Sequence, residues 1–360
     1  MILTRLRLFS FRNYERLELD FDPGITAVVG KNASGKTNLV EAIQFLSLAR
    51  SFRASDAGPL IKEGQSGAAI EASIREGDLL RTIRIELAKD AKRIFLNGKP
   101  LRRLSELSRL VNVLFFSPAD VPLFAASPSE RRDFLDISLS KQSLDYFRLI
   151  SRYGATLRER NALLKEASPD EALLSVLTSQ LIALAEPIVR YRELYIASLN
   201  RVLPPLLGRL RGDSSPVELV YRPFLKTGED FAERAKKAFA SAAESDRAHR
   251  STGIGVHRED FSLRLNGRDI SAYGSQGENR MAVLALKLCP YYLIEDESKK
   301  PMVVLDDVTS ELDEGRTANL ISLLRDFAQT FLTTTDIHIP GATYFDVAND
   351  TAIRRNYNGR

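Results

Sequence analysis

The sequence predicts an α/β fold interrupted by a mainly helical block, and three observations predict it. Short apolar or alternating segments with strand character occupy both ends of the chain. Charged, leucine-rich segments at helical spacing separate them. A glycine-rich turn near the N-terminus joins a strand directly to a helix. In order, "LTRLRLFSF" and "RLELDF" alternate as half-buried strands do, and "ITAVV" reads as a short buried one. "GKTNLVEAIQFLSLA" places Leu39, Ile43 and Leu46 at helical spacing. "AAIEASI", "LLRTIRIEL" and "RIFLNGKPL" are strands, the last turning at Asn97-Gly98, a pair suited to the left-handed angles of a tight hairpin. From about Ser127 to Leu210 the pattern is helical, and strands return with "VELVYRPFL", "FSLRLNG", "MVVLDDV" and "QTFLTTT".

With 360 residues, the chain is long enough for about two domains, one of them split in sequence. At 44% hydrophobic and 27% charged residues it can bury a sizeable core, and composition marks no part as disordered. Cys289 has no partner cysteine, which fits a reducing compartment. The N-terminus alternates apolar and charged residues, unlike a signal peptide, and no long apolar run reads as a membrane span. These features predict a cytoplasmic protein without a membrane partner.

Lys and Arg number 51 against 47 Asp and Glu, and the excess is concentrated. "KDAKRIFLNGKPLRR" carries Lys89, Lys92, Arg93, Lys99, Arg102 and Arg103 against Asp90 alone, and "RSFRAS" adds Arg50 and Arg53. Such a surface attracts a phosphate backbone without reading its sequence. A solvated hairpin rim has the same composition. Candidate DNA contacts are therefore Arg50, Arg53, Lys89, Lys92, Arg93, Arg102 and Arg103.

"VVGKNASGKTNL" is the strongest local signal. Gly30 to Thr37 fits G-x-x-x-x-G-K-[ST] and lies between a strand and an amphipathic helix, the context a P-loop needs. Its residues Gly30, Lys31, Asn32, Ala33, Ser34 and Gly35 can curl so that backbone N–H groups point at a β-phosphate, with the helix N-terminus aimed at the same group. Lys36 would reach the β- and γ-phosphates, and the Thr37 hydroxyl would ligate Mg²⁺. A second Mg²⁺ anchor in this class is an aspartate at the tip of an apolar strand. "MVVLDD" supplies Asp306 for that role and Asp307 as the carboxylate that polarises the attacking water. Lys36 and Asp306 lie near opposite ends of the chain, and no N-K-x-D guanine reader is present. A small GTPase or nucleotide kinase is thereby disfavoured, and an ATPase head with a large insertion fits.

Within that insertion, "YGSQGENRMAVLALKL" sets Ser275 and Gly277 before an apolar helix starting near Glu278, a further phosphate-binding helix N-terminus. Ser275, Gln276, Gly277 and Glu278 resemble the signature of ATP-binding-cassette (ABC) ATPases, where this turn binds the γ-phosphate held by the other subunit. The "SELD" segment, Ser310 to Asp313, corresponds to the loop that crosses the dimer interface. Taken with "LRLFSFRNY", "GKNASGKTNLVEAI", "RSFR", "FFSPADVPLFAASPSERRDFLD", "GVHREDFSLRLNG" and "LDDVTSELD", the chain resembles the RecF family, bacterial recombination and gap-repair ATPases related to the SMC heads.

That resemblance implies an α/β P-loop head of the ABC type. Lobe I, a mixed sheet with helices, would be residues 1–120 and 300–360. The inserted, mainly helical lobe II, residues 121–299, would carry the signature. It further implies a homodimer driven by ATP and Mg²⁺ on duplex and gapped DNA, slow DNA-stimulated hydrolysis for release, and action with RecO and RecR in loading RecA. Asp313 would sit in the dimer seam, and Arg12 of "FRNY" could meet nucleotide phosphate or base edge, or be a surface strand residue. Some positions depart from the pattern. Ala33 replaces a usual glycine, and Asp307 replaces the glutamate common in transporters. Asp336 stands where many cassettes have a switch histidine, with His338 two residues off, and Ser117 lies about where a glutamine is usual. A slow timer fits these departures better than a motor. His257 reads as structural, and Arg148, Arg152, Arg158 and Arg160 as a solvated helix face, with contact to DNA or RecR the alternative. The head of a nuclease of the overcoming-lysogeny-defect type is the alternative, but it needs an appended acidic metal site, and few residues follow Asp306.

Overall fold

A computed structural model describes residues 1–54, 56–101, 106–107, 110–335 and 338–355. The chain divides into two compact units, the first formed by Met1–Val121, Pro205–Asp213 and Arg280–Arg360, the second by Pro122–Pro204 and Ser214–Asn279.

The first unit contains two six-stranded sheets. In one, Tyr14–Asp20, Ile2–Phe11, Gly67–Glu76, Leu79–Ala88, Ala91–Leu96 and Lys99–Pro100 lie side by side, all antiparallel. Side-chain alternation sorts its faces: Leu6 and Leu8 are buried, while Arg5 and Arg7 point outward and pair with Asp20, Glu18 and Glu71 on neighbouring strands. The other sheet runs in the order Thr351–Arg354, Thr343–Ala348, Gly24–Val29, Gln329–Thr334, Met302–Leu305 and Val113–Phe116. It is parallel apart from its first strand, and its central strands are buried along almost their whole length because both faces are covered, although Gln329–Thr334 carries a glutamine and three threonines.

The helix Lys36–Leu48 is buried without a break from Leu39 to Ser47. Its core cluster joins it to both sheets, through Leu6, Ile70 and Ile85 of one and Val28, Val304 and Phe331 of the other. A helix buried all round shows no clean amphipathic stripe, and its polar residues need partners inside: Glu41 accepts from Arg12 and Ser51, and the Ser47 hydroxyl donates to the Gln44 carbonyl.

The second unit holds the helices Pro128–Gln142, Leu144–Leu163 and Phe231–His249, and most of the long helix Glu171–Arg211. A three-stranded antiparallel sheet, Arg268–Asp269, Asp260–Leu265 and Val217–Arg222, completes it. The long helix corrects one sequence expectation, since by length and composition it could cross a membrane. Part of its apolar surface is packed inside protein: Leu181, Ala185, Ile188 and Val189 are buried, and Arg192 is buried among them with two carboxylate partners, whereas Leu173, Val176 and Leu194 are exposed.

That ion network explains two motifs of the sequence at once. Arg192 donates to Glu259 (2.6 Å), Asp136 (2.8 Å), the Val256 carbonyl (2.8 Å) and the Tyr146 hydroxyl (3.0 Å). Arg131 of "SPSERRDFLD" forms a forked pair with Asp260 of "VHRED" at 2.7 and 2.9 Å. Arg160, expected on a solvated face, is corrected to a buried position, donating to Asp246 (2.8 Å) and Thr252 (2.7 Å), whereas Arg148, Arg152 and Arg158 are exposed. His257 is held from both ring nitrogens. With Nε2 donating to the Thr252 carbonyl (3.0 Å), Nδ1 accepts from the Tyr153 hydroxyl (2.9 Å), which fixes a neutral tautomer.

Candidate functional site

Three adjacent parallel strands end on one edge of the second sheet of the first unit. Gly24–Val29 leads into the P-loop, Met302–Leu305 into Asp306, and Gln329–Thr334 lies between them, pairing Leu332 with Leu305 and Thr333 with Val28. Ligand crevices form where such carboxyl ends converge. A cleft of about 450 Å³ opens there, lined by Asn32, Ala33, Gly35, Lys36, Thr37, Asn38, Arg53, Asp306, Asp307 and Thr333.

The loop geometry depends on its glycines. Gly35 caps the helix with φ +106°, a left-handed angle that L side chains rarely adopt, and a Cβ there would come within 2.7 Å of Asn13. At Gly30 a Cβ would meet the Val347 carbonyl at 2.5 Å, so the loop lies directly against the neighbouring strand. Ala33 is left-handed as well, at φ 65°, which explains why glycine suits that position.

Within the cleft, Lys36 Nζ donates to the Gly30 (2.6 Å) and Lys31 (2.9 Å) carbonyls. Burial lowers its pKa, and the charges of Asp307 and Asp306 act in the opposite direction. The Thr37 hydroxyl meets Asp306 Oδ1 at 3.2 Å, and Thr333 donates to the same oxygen at 2.8 Å. Asp306 is buried, which raises its pKa; the two threonine hydroxyls pull it back, and Asp307 adds to the rise. Asp307 is exposed into the cleft from a left-handed backbone, φ 48°.

The residues fit a nucleotide with its cation. Ser34 Oγ is buried in the loop with no hydrogen-bond partner among the described residues, an orphaned polar atom where a phosphate oxygen would lie. Neighbouring oxygens around an octahedral Mg²⁺ are about 3 Å apart, close to the Thr37–Asp306 separation. Among the described residues no group of three or more His, Cys, Asp or Glu could hold a metal by itself. A cation at Thr37 and Asp306 would therefore take its remaining ligands from phosphate and water.

Other expected residues lie elsewhere or are otherwise engaged. Arg12 forms a forked pair with buried Glu41 of the P-loop helix at 2.7 and 2.8 Å and donates to the Pro59 carbonyl, rather than lining the cleft. Arg53, read as a DNA contact, instead lines the cleft and donates to Asn38 at 3.0 Å. Lys89, Lys92 and Arg93 are exposed around one hairpin tip, and Lys92 reaches the Ala49 carbonyl (2.9 Å) beside exposed Arg50. None of these four has an ion pair among the described residues, in contrast to the compensated arginines of the same sheet. Arg102, Arg103 and Asp336 lie outside the described residues. In the second unit, Ser275 and Glu278 form a reciprocal capping box, Glu278 N–H to Ser275 Oγ at 3.2 Å and Ser275 N–H to the Glu278 carboxylate at 2.9 Å. The helix therefore starts at Gln276, two residues earlier than expected, because the box satisfies its first turn. Asp313 caps the helix Glu314–Leu324 by accepting from Arg316 N–H at 2.8 Å. Thr333 and Arg280 were missed in the sequence; Thr333 is one of three threonines in the strand segment "QTFLTT", with nothing to single it out, and Arg280 is marked only as an arginine opening the apolar run "RMAVLAL".

Comparison with known proteins places this geometry. Residues 2–339 match the family model described as the RecF/RecN/SMC N-terminal domain. A DNA replication and repair protein RecF from an Exiguobacterium species is 38% identical over 348 residues, covering 94% of this chain and 93% of that protein. The chain belongs to the RecF family. A second RecF, from Geobacillus thermodenitrificans, is 35% identical across 100% of this chain and 98% of its own length. A solved structure of the recombination mediator RecF with ATP, from the RecFOR pathway, superposes with a TM-score of 0.89 at 31% identity, over 98% of this chain and 99% of that one. The mixed α/β head with a helical insert is thus the fold of the RecF and SMC heads.

Proposed function

We propose that this chain is an ATP-gated DNA-binding protein of recombinational gap repair. ATP and Mg²⁺ drive two copies together on duplex or gapped DNA, and slow hydrolysis releases them. The observation that carries the reading is the convergence of Lys36, Thr37 and Asp306 in one cleft at the ends of adjacent strands. The RecF relatives, one of them solved with ATP, support it.

When bound, the nucleotide supplies a phosphoanhydride bond whose γ-phosphoryl passes to water, with Mg²⁺ as the counter-charge. The protein's own parts then have distinct work. Loop N–H groups and the helix N-terminus hold the β-phosphate, while Lys36 leaves the Gly30 and Lys31 carbonyls for phosphate oxygens. Thr37 and Asp306 hold the cation, Arg53 adds positive charge at the cleft wall, and Asp307 orients the attacking water. Ser275 of one copy completes the nucleotide site of the other, and Asp313 lies in the seam. Arg50, Lys89, Lys92 and Arg93 give a basic rim for DNA phosphates, and in the cytoplasm the clamp acts with RecR and RecO in loading RecA.

Sedimentation velocity tests this reading. ATP, Mg²⁺ and duplex DNA together should shift the protein from monomer to dimer, and Lys36→Ala or Ser275→Arg should abolish the shift. A dimer that persists in both variants would overturn it. DNA affinity should also fall steeply with added salt, and reversing Lys89, Lys92 and Arg93 to glutamate should flatten that slope.

A further inference from the structure

The backbone of Asp307 is held from both sides by groups to which the cleft chemistry gives no other role. Its N–H donates to Thr333 Oγ1 at 2.8 Å, and that hydroxyl passes its own proton to Asp306 Oδ1 at 2.8 Å. Its carbonyl accepts from Arg280 Nη2 at 2.6 Å, and the other arm of Arg280 pairs with Glu311. Between the two clamps the residue keeps φ 48°, a left-handed conformation uncommon for residues with a side chain, though aspartate adopts it more readily than most. Thr333 and Arg280 are themselves almost wholly buried, 1% and 2% exposed. Arg280 Nε also has no partner among the described residues. A buried guanidinium left short of a hydrogen bond costs stability, so its place is better explained by what it holds than by what it contributes to folding.

We infer that Thr333 and Arg280 are positioning residues for Asp307, fixing its peptide so that the carboxylate projects into the cleft beside Lys36 and Thr37. The single Thr333 hydroxyl also ties Asp307 to Asp306, so the water-orienting and cation-holding carboxylates move as one. This rests on the reading of Asp307 given above, and Arg280 extends the same hydrogen-bonded line to Glu311 in the segment next to Asp313.

Thr333→Val is the direct test, because it keeps the shape and removes both hydrogen bonds, while Thr333→Ser keeps both. Steady-state ATP hydrolysis with DNA should show kcat reduced roughly 10- to 100-fold in Thr333→Val with KM little changed, and near-normal turnover in Thr333→Ser. Amide hydrogen exchange without nucleotide should show faster exchange at Asp307 in the valine variant. Arg280→Met, which leaves Glu311 half exposed rather than buried and unpaired, should repeat the kcat effect from the carbonyl side. Normal kcat in Thr333→Val, a serine variant as impaired as the valine one, or unchanged exchange at Asp307 would each overturn the inference. Asp307→Asn, run in parallel, separates the two ideas. If it hydrolyses ATP normally the role of Asp307 fails, and the exchange measurement still decides whether Thr333 and Arg280 position its backbone.

Discussion

The nucleotide cleft and the buried ion network of the helical unit use the same kinds of side chain to opposite ends. Around Arg192 the guanidinium is spent on Glu259, Asp136, Tyr146 and a carbonyl, and Glu259 in turn accepts from Tyr221 and the Phe224 N–H. In the cleft, the Ser34 hydroxyl lacks a partner among the described residues, Lys36 rests on its own loop's carbonyls, and Asp307 is held in a left-handed conformation. A polar cluster that satisfies itself has nothing left for a ligand. One left short of partners, or strained, has free energy to gain when a ligand arrives.

The comparison breaks most sharply at Arg192. Arg192→Ala leaves Glu259 buried without its countercharge, and the expected loss of stability is about 3–5 kcal/mol, read from urea unfolding. Nucleotide affinity of the folded fraction should be unchanged. Lys36→Ala should do the reverse, keeping the unfolding midpoint while ATP binding is lost. A loss of less than about 1 kcal/mol for Arg192→Ala would show that the network does not hold the helical unit together.

How far the sequence could be read follows the same division. The P-loop is legible because eight consecutive residues specify it, and the strand ending at Asp306 is legible because its apolar run stops at two aspartates. The alternating strands and the helical block follow from periodicity. What cannot be read is any arrangement made by distant residues. Thr333 reaches Asp306 only because its strand is inserted between the two others, and no local pattern encodes that order. Arg160 looks like one more basic residue on a charged helix; only the approach of Asp246 and Thr252 makes it internal. Arg53 likewise reads as part of a basic run until the fold turns it toward the P-loop helix.

A second, smaller effect lies in the pH dependence of the helical unit. Burial lowers the pKa of His257 from 6.5 to about 4, opposed by the Thr252 carbonyl and Asp246 and assisted by Arg258 and Arg132. The folded protein keeps this ring neutral where the unfolded chain protonates it. Stability tied to His257 is therefore complete above pH 6.5, falls as pH drops from 6.5 toward 4, and levels off below. The difference is on the order of 3 kcal/mol. His257→Gln can still accept from Tyr153 and donate to Thr252, so subtracting its stability profile from that of the parent should isolate this window. Parallel profiles would mean that the ring charges freely in the folded state.

The smallest effect tests strain in the cleft itself. Ala33 holds φ 65°, where a Cβ costs roughly 1–2 kcal/mol, while a glycine adds about 0.4–1 kcal/mol of freedom to the unfolded chain. Ala33→Gly should therefore stabilise the protein by about 1 kcal/mol or less and leave nucleotide affinity within a few-fold of the parent. Thermal unfolding with and without ATP measures both quantities on one sample. If the glycine variant is instead destabilised by more than about 1 kcal/mol, the Ala33 methyl is packed to advantage, and the P-loop is less strained than its backbone angle implies. If stability rises but ATP affinity falls by tenfold or more, the strain at Ala33 is serving to hold the loop ready for phosphate, and the contrast with the saturated network becomes sharper still.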